Sequence, residues 1–63
     1  MTTLERQAAI AGDIFATPEN LIVRVTRVGR AGWVDVRVVG GARDGYGQRM
    51  RHGIPMDWAR YPR

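Results

Sequence analysis

The chain has 63 residues, no Cys, a single His and a formal net charge of +4. Disulfides and thiolate metal sites are thereby excluded, as is a multi-histidine site within one chain. No apolar run approaches the ~18 residues that a bilayer span needs, and residues 1–10 lack the basic-then-apolar layout of a secretory leader, so a cytoplasmic protein with no membrane partner is expected.

The length 1–63 reads as one small domain. A domain of this size buries only about 60% of the surface its unfolded chain exposes. Tight packing and self-association are the remaining supports, and a homodimer or larger homo-oligomer is expected. The charge is uneven. Residues 1–20 hold Arg6 against Glu5, Asp13 and Glu19, whereas residues 21–63 hold nine Arg against Asp35, Asp44 and Asp57, a net +6. Every cation is Arg and none is Lys. A GC-rich genome gives that bias without functional cause, but the guanidinium fork also suits phosphate and carboxylate better than an ammonium does.

In chain order, Thr2-Thr3-Leu4-Glu5 has the form of a capping box. Leu4, Ala8, Ala11 and Phe15 then recur at helical spacing with Ile14 beside them. The pattern predicts a short amphipathic helix over residues 3–15, within a helical arm of 1–17. Gly12 weakens such a helix by about 1 kcal/mol relative to Ala. Its apolar stripe needs a sheet or another chain to dock on. Thr17-Pro18-Glu19-Asn20 breaks the helix and supplies a turn.

Leu21 to Val28 and Trp33 to Val39 alternate apolar and polar residues around Gly29-Arg30-Ala31-Gly32. This predicts a hairpin that pairs Val28 with Trp33, Thr26 with Asp35 and Arg24 with Arg37. Val23, Val25, Val36 and Val38 then form the core centre, a pleated surface that suits β-branched residues. Ile22, Arg24, Thr26 and Val28 face the other side with Trp33, Asp35, Arg37 and Val39. Residues 40–45 form a second turn with an Asp-Gly signal. A third strand over 46–52 places Gly47, Arg49 and Arg51 on one face. Gly53-Ile54-Pro55 turns the chain, and residues 56–60 form either a helical turn or a short fourth strand. The expected fold is α+β: the helix plus a small curled antiparallel sheet of three or four strands over 21–63. It resembles an SH3-like small barrel in architecture.

Arg24 opposite Arg37 is unfavourable unless something neutralises the pair. A solvated face with Asp35 lying diagonal to Arg24 is one answer, a nucleic-acid phosphate or an acidic protein surface another. Arg24, Arg37, Arg49 and Arg51 share the outer face, and Arg30 and Arg43 sit in the loops at its ends. Trp33 is either covered by the helix or the C-terminal segment, or is an aromatic contact beside the arginines. Trp58 plugs one end of the barrel. His52 and Asp57 have the residue types of a general base and its orienting carboxylate. With no Ser, Cys or Lys to act as nucleophile, no catalytic residue is assigned and no enzyme is expected. The glycines between Gly40 and Gly47 lack the Lys and Ser/Thr of a phosphate-binding loop. Asp35, Asp44 and Asp57 lack calcium-loop spacing, so neither cofactor nor metal is expected. The function read from these residues is non-enzymatic, electrostatic binding of DNA or RNA through Arg24, Arg37, Arg49, Arg51, Arg30, Arg43 and Trp33. The alternative is a protein–protein adaptor or regulator, an accessory factor of phage or plasmid type. It would grip a larger host protein with Trp33, Trp58, Phe15 and one or two arginines.

Overall fold

A computed structural model describes residues 6–61 of the chain. The strands are β1 (Arg6–Gln7), β2 (Ile14–Ala16), β3 (Ile22–Val28), β4 (Val34–Val38), β5 (Gly47–Met50), β6 (Ile54–Pro55) and β7 (Ala59–Tyr61). There is no helix among the described residues, so the expected α+β class is corrected to all-β. Five strands form one antiparallel sheet in the order β5-β4-β3-β2-β7, and β1 pairs with β6 in a second, two-stranded sheet. Among the described residues the larger sheet does not close on itself. β5 and β7 are its edges, which also sets aside the expected SH3-like barrel.

The N-terminal helix fails for local reasons. The Asp13 carboxylate accepts the Ile10 N–H at 3.0 Å, Asp13 N–H returns to Ile10 C=O at 3.1 Å, and Gly12 sits at φ 98°. That tight turn stops any helix before Ile14, because only Gly adopts such a φ without cost. Gly12 N–H then donates to Val25 C=O and Val25 N–H to Asp13 C=O, both at 2.8 Å, so the chain joins β3 as a strand. Ala8 and Ala11 are exposed, so the apolar spacing is not a buried stripe. Phe15 is fully buried from β2 instead. The capping box and Leu4 lie outside the described residues.

Two turns of one design join β2 to β3 and β3 to β4. Asn20 N–H bonds Thr17 C=O with Asn20 at φ 68°, and Gly32 N–H bonds Gly29 C=O with Gly32 at φ 92°. The buried Thr17 hydroxyl accepts N–H groups from Glu19 and Leu21, which satisfies it. Pro18 sits where a turn favours a preset φ.

The β3–β4 hairpin keeps Arg24 opposite Arg37 and Val25 opposite Val36, but its register shifts between Val25 and Arg27. Val28 therefore pairs with Val34, and Arg27 with Asp35, in place of the expected Val28–Trp33 and Thr26–Asp35 pairs. Thr26 is the extra residue of a β-bulge. The bulge has a physical purpose. Strict alternation beyond Val25 directs Arg27 into the core, where a lone charge is very costly. With the bulge, Arg27 is exposed.

The core holds Phe15, Val23, Val25, Val34, Val36, Val38 and Ile54, with Ala9, Met50 and Trp58 packed against it. The four central valines face inward as their alternation predicts. Ile54 reaches the core from β6. The Gln7 side-chain amide donates to Pro55 C=O at 2.9 Å and to Trp58 C=O at 2.6 Å, tying β1 to the segment that leads into β7. Trp58 thus packs on the flank of an open sheet rather than plugging a barrel. The third strand is shorter than the expected 46–52, and Arg51 and His52 form the turn that follows it. The last segment resolves into a turn at 56–58 and the edge strand β7, which pairs with β2. Arg60 lies opposite Phe15 with its guanidinium 4.9 Å from the ring centroid. It donates to Asp13 at 2.7 Å and to Ala8 C=O at 2.6 Å, covering that side of the core. No helix among the described residues is long and apolar enough to cross a membrane.

Candidate functional site

The face of the sheet opposite the valines carries rows of residues that follow from the register. One row crosses all five strands: Tyr61, Ile14, Arg24, Arg37, Gly47. A second crosses three: Arg27, Asp35, Arg49. The β7–β2 side of this face is apolar, with Ile14, Ala16 and Ile22 half-buried and Tyr61 exposed. The β3–β5 side is cationic.

Asp35 decides which of these cations is free. Arg49 grips it bidentately, Nε to one carboxylate oxygen at 2.7 Å and a terminal nitrogen to the other at 3.1 Å. These bonds hold the Asp35 carboxyl below its ordinary range and push Arg49 up. Partial desolvation of Asp35 opposes the effect, and the charges of Arg49 and Arg27 add to it. Arg49 is held in place from its other side as well. Its guanidinium lies 4.0 Å from the Trp33 ring centroid, a cation–π contact. Trp33 in turn packs directly on Gly29. A Cβ added at Gly29 would come within 1.9 Å of the indole, so only glycine permits this stack.

Arg24 and Arg37 are adjacent, exposed and in no ion pair among the described residues, where the pairs are Arg49–Asp35 and Arg60–Asp13. They occupy a hydrogen-bonded position of the ladder, since Val39 N–H donates to Ile22 C=O two residues along. Asp35, expected to relieve Arg24 diagonally, is engaged by Arg49 instead. A shallow depression of about 340 Å³ opens beside Arg37. Gly47 leaves it without a side chain, and Thr26, Asp35 and Arg49 line its other sides.

The other residues read from the sequence divide between this face and elsewhere. Arg30 is exposed in the β3–β4 turn. Arg51 is exposed but beyond the end of β5, so it does not continue the strand row. Arg43 lies in the β4–β5 loop and lines a slot of about 110 Å³ on the valine side with Tyr46, Gln48 and Trp58, away from the arginine rows. Trp33 is half-buried, and among the described residues Arg49 and Gly29 lie against its ring, with no helix to cover it. Arg27 is a cation of this face that sequence reasoning missed. Its signal was present, because its alternation position demands a bulge. The anchors of the adaptor reading fare poorly: Phe15 is fully buried, Trp33 is capped, and Trp58 packs on the core. His52 is exposed in the turn after β5 and Asp57 in the turn before β7.

No protein-family model, curated protein or solved structure matches this chain at a significant level.

Proposed function

We propose that this is a non-enzymatic nucleic-acid-binding protein that engages the phosphate backbone with the cationic half of its open sheet face. The observation that carries the reading is the side-by-side Arg24 and Arg37, left without a carboxylate among the described residues because Arg49 holds Asp35. Like charges directly opposite on a sheet are destabilising, and a bound phosphate removes the penalty. Arg27 and Arg30 extend the cationic surface along the hairpin, and the depression at Gly47 gives a phosphate access between Arg37 and Arg49. Trp33 acts indirectly in this scheme, by positioning Arg49. The guanidinium face turned away from the indole is then free to stack on a base. Affinity is mostly electrostatic, and sequence preference is weak.

The test is anisotropy of a labelled oligonucleotide titrated at several salt concentrations. With Arg24, Arg27, Arg30 and Arg37 engaged, the log–log salt slope on duplex DNA is about −3.6, and on a single strand about −2.8. The double variant Arg24→Ala, Arg37→Ala loses about half of that slope. A salt-independent affinity, or a double variant that binds as the wild type does, overturns the proposal.

A further inference from the structure

The two edges of the five-stranded sheet are not alike. β7 has three residues, its Arg60 side chain is pinned across Phe15 and Asp13, and Pro62, which has no N–H to donate, follows it in the sequence. β5 has no such protection among the described residues. Its four residues contain neither Pro nor Lys, Gly47 presents no side chain, and the one charge, Arg49, is neutralised by Asp35. Charged side chains and prolines are how sheet edges ordinarily avoid pairing.

The ladder fixes which backbone groups face the open side. Val38 exchanges bonds with the β5 side, its N–H going to Tyr46 C=O and its C=O accepting from Gly45 N–H. By alternation Val36–Gln48 and Val34–Met50 are the hydrogen-bonded pairs with β4. Gly47 and Arg49 therefore turn their N–H and C=O groups outward. We propose that this edge pairs antiparallel with β5 of a second copy, about a two-fold axis through Gln48, with Gly47 of each copy opposite Arg49 of the other.

Self-complementarity selects that register. With the axis at Gln48, Gly47 accommodates the opposing Arg49 and no two arginines of the strands meet. Tyr46, 62% exposed in the single chain, falls opposite Met50 of the second copy on the valine side. Sulfur–aromatic contact is favourable there. Gln48 meets Gln48, whose amides donate and accept equally. Shifting the axis to Arg49 sets two bulky Arg49 side chains, each clamped to its own Asp35, against each other, and shifting it to Gly47 leaves Gly47 opposite Gly47 as the one pair within the strands, because Arg43 and Arg51 lie beyond them. In the chosen register Gly47 and Arg49 exchange two main-chain bonds per pair. The sheets merge into one, and the cationic halves of the two open faces meet at its centre. Arg49 of the second copy closes the edge side of the depression between Arg37 and Arg49. The pairing does not depend on what binds that face.

Because each copy carries +4, the measurement is made with purified protein free of nucleic acid in about 0.5 M salt, where repulsion is screened. Sedimentation at tens to hundreds of micromolar is expected to show a dimer, and Gly47→Pro a monomer. The Gly47 N–H faces outward and its φ is not left-handed, so proline there blocks the edge without losing a β4 bond. Register is read by disulfide trapping, which is clean in a chain with no Cys. Gln48→Cys places two thiols in a non-hydrogen-bonded pair with Cα atoms about 4.5 Å apart, within disulfide reach. Gly47→Cys and Arg49→Cys hold theirs roughly 8–9 Å from their own copies, beyond it. A wild-type monomer at these concentrations overturns the proposal, as does trapping through residue 47 or 49 in preference to 48.

Discussion

Replacing Arg24 with Glu is expected to stabilise the protein while removing most of its affinity for nucleic acid. Arg24 and Arg37 stand opposite each other on an exposed face with no carboxylate between them among the described residues. At a charge separation of about 6 Å in water their repulsion is about 0.7 kcal/mol. Screening over a Debye length of about 8 Å roughly halves that at physiological salt. Glu at position 24 removes the repulsion and adds an attraction of similar size, a swing of about 0.7 kcal/mol, within the range measured for cross-strand pairs. For a domain this small, 1 kcal/mol moves Tm by about 4–8 °C, so the expected rise is about 5 °C. Arg24→Gln removes only the repulsion and should give about half of it. Thermal melts of the three proteins at 0.05, 0.15 and 1 M salt provide the check, because an electrostatic gain must vanish at the highest salt. Binding should move the other way. Losing Arg24 and neutralising Arg37 removes two phosphate contacts, or about 1.8 from the salt slope on duplex DNA. A fall in Tm, or a rise that 1 M salt leaves intact, would refute the argument, since it would mean that Arg24 makes a favourable contact in the folded chain.

Other substitutions probe the parts that build this face. Gly29→Ala drives a methyl group into the Trp33 ring, so the stack must open; a loss of about 1–3 kcal/mol in urea unfolding is expected, with a red shift in tryptophan emission in a Trp58→Phe background. Asp35→Asn frees Arg49 from its anion and should steepen the duplex salt slope by about 0.9 in the oligonucleotide titration. Asp13 is held below its ordinary carboxylate range, first by the Ile10 N–H and then by the hydrogen bond from Arg60. A folded-state value below the unfolded one gives stability that is present above the unfolded value and lost as pH falls. Wild-type Tm should therefore drop between about pH 5 and pH 2 more steeply than that of Asp13→Asn. Phe15→Ala empties the largest fully buried site and is expected to cost about 3–5 kcal/mol, enough to abolish the cooperative melt of so small a domain.

The centre of the sheet was legible in the sequence because its signal is strict. Val23, Val25, Val36 and Val38 alternate with polar residues, and a one-residue slip would expose them all. That alternation also sets Arg24 against Arg37, on the side of the bulge where the count still holds. The bulge itself has no marker residue, since Thr26 and Arg27 are ordinary strand residues. It is implied only by the cost of burying Arg27. The N-terminal segment misled for a different reason. Leu4, Ala8, Ala11 and Phe15 have helical spacing, but two of the four are alanines, which gain little from burial. Ile14-Phe15 gains more by pairing with β3 and delivering the aromatic ring to the valines. The β7 strand carries no pattern in Ala59-Arg60-Tyr61. It forms because β2 has a second edge to satisfy, a demand visible only once the sheet exists.

The free state of Arg24 and Arg37 is the end of a chain of contacts that starts at a glycine. Asp35 lies within reach of several guanidinium groups: it is opposite both Arg27 and Arg49 and diagonal to Arg24. Proximity alone does not choose among them. Arg49 is chosen because the Trp33 ring already holds its guanidinium plane, so less side-chain freedom is lost when the bidentate bonds form. The ring can take that position only because Gly29 beneath it has no Cβ. Arg24 and Arg27 have no aromatic platform among their described contacts and compete for the same carboxylate at a disadvantage. One glycine therefore decides which cation takes Asp35, and the cations left uncompensated among the described residues are the ones best placed to meet an incoming phosphate.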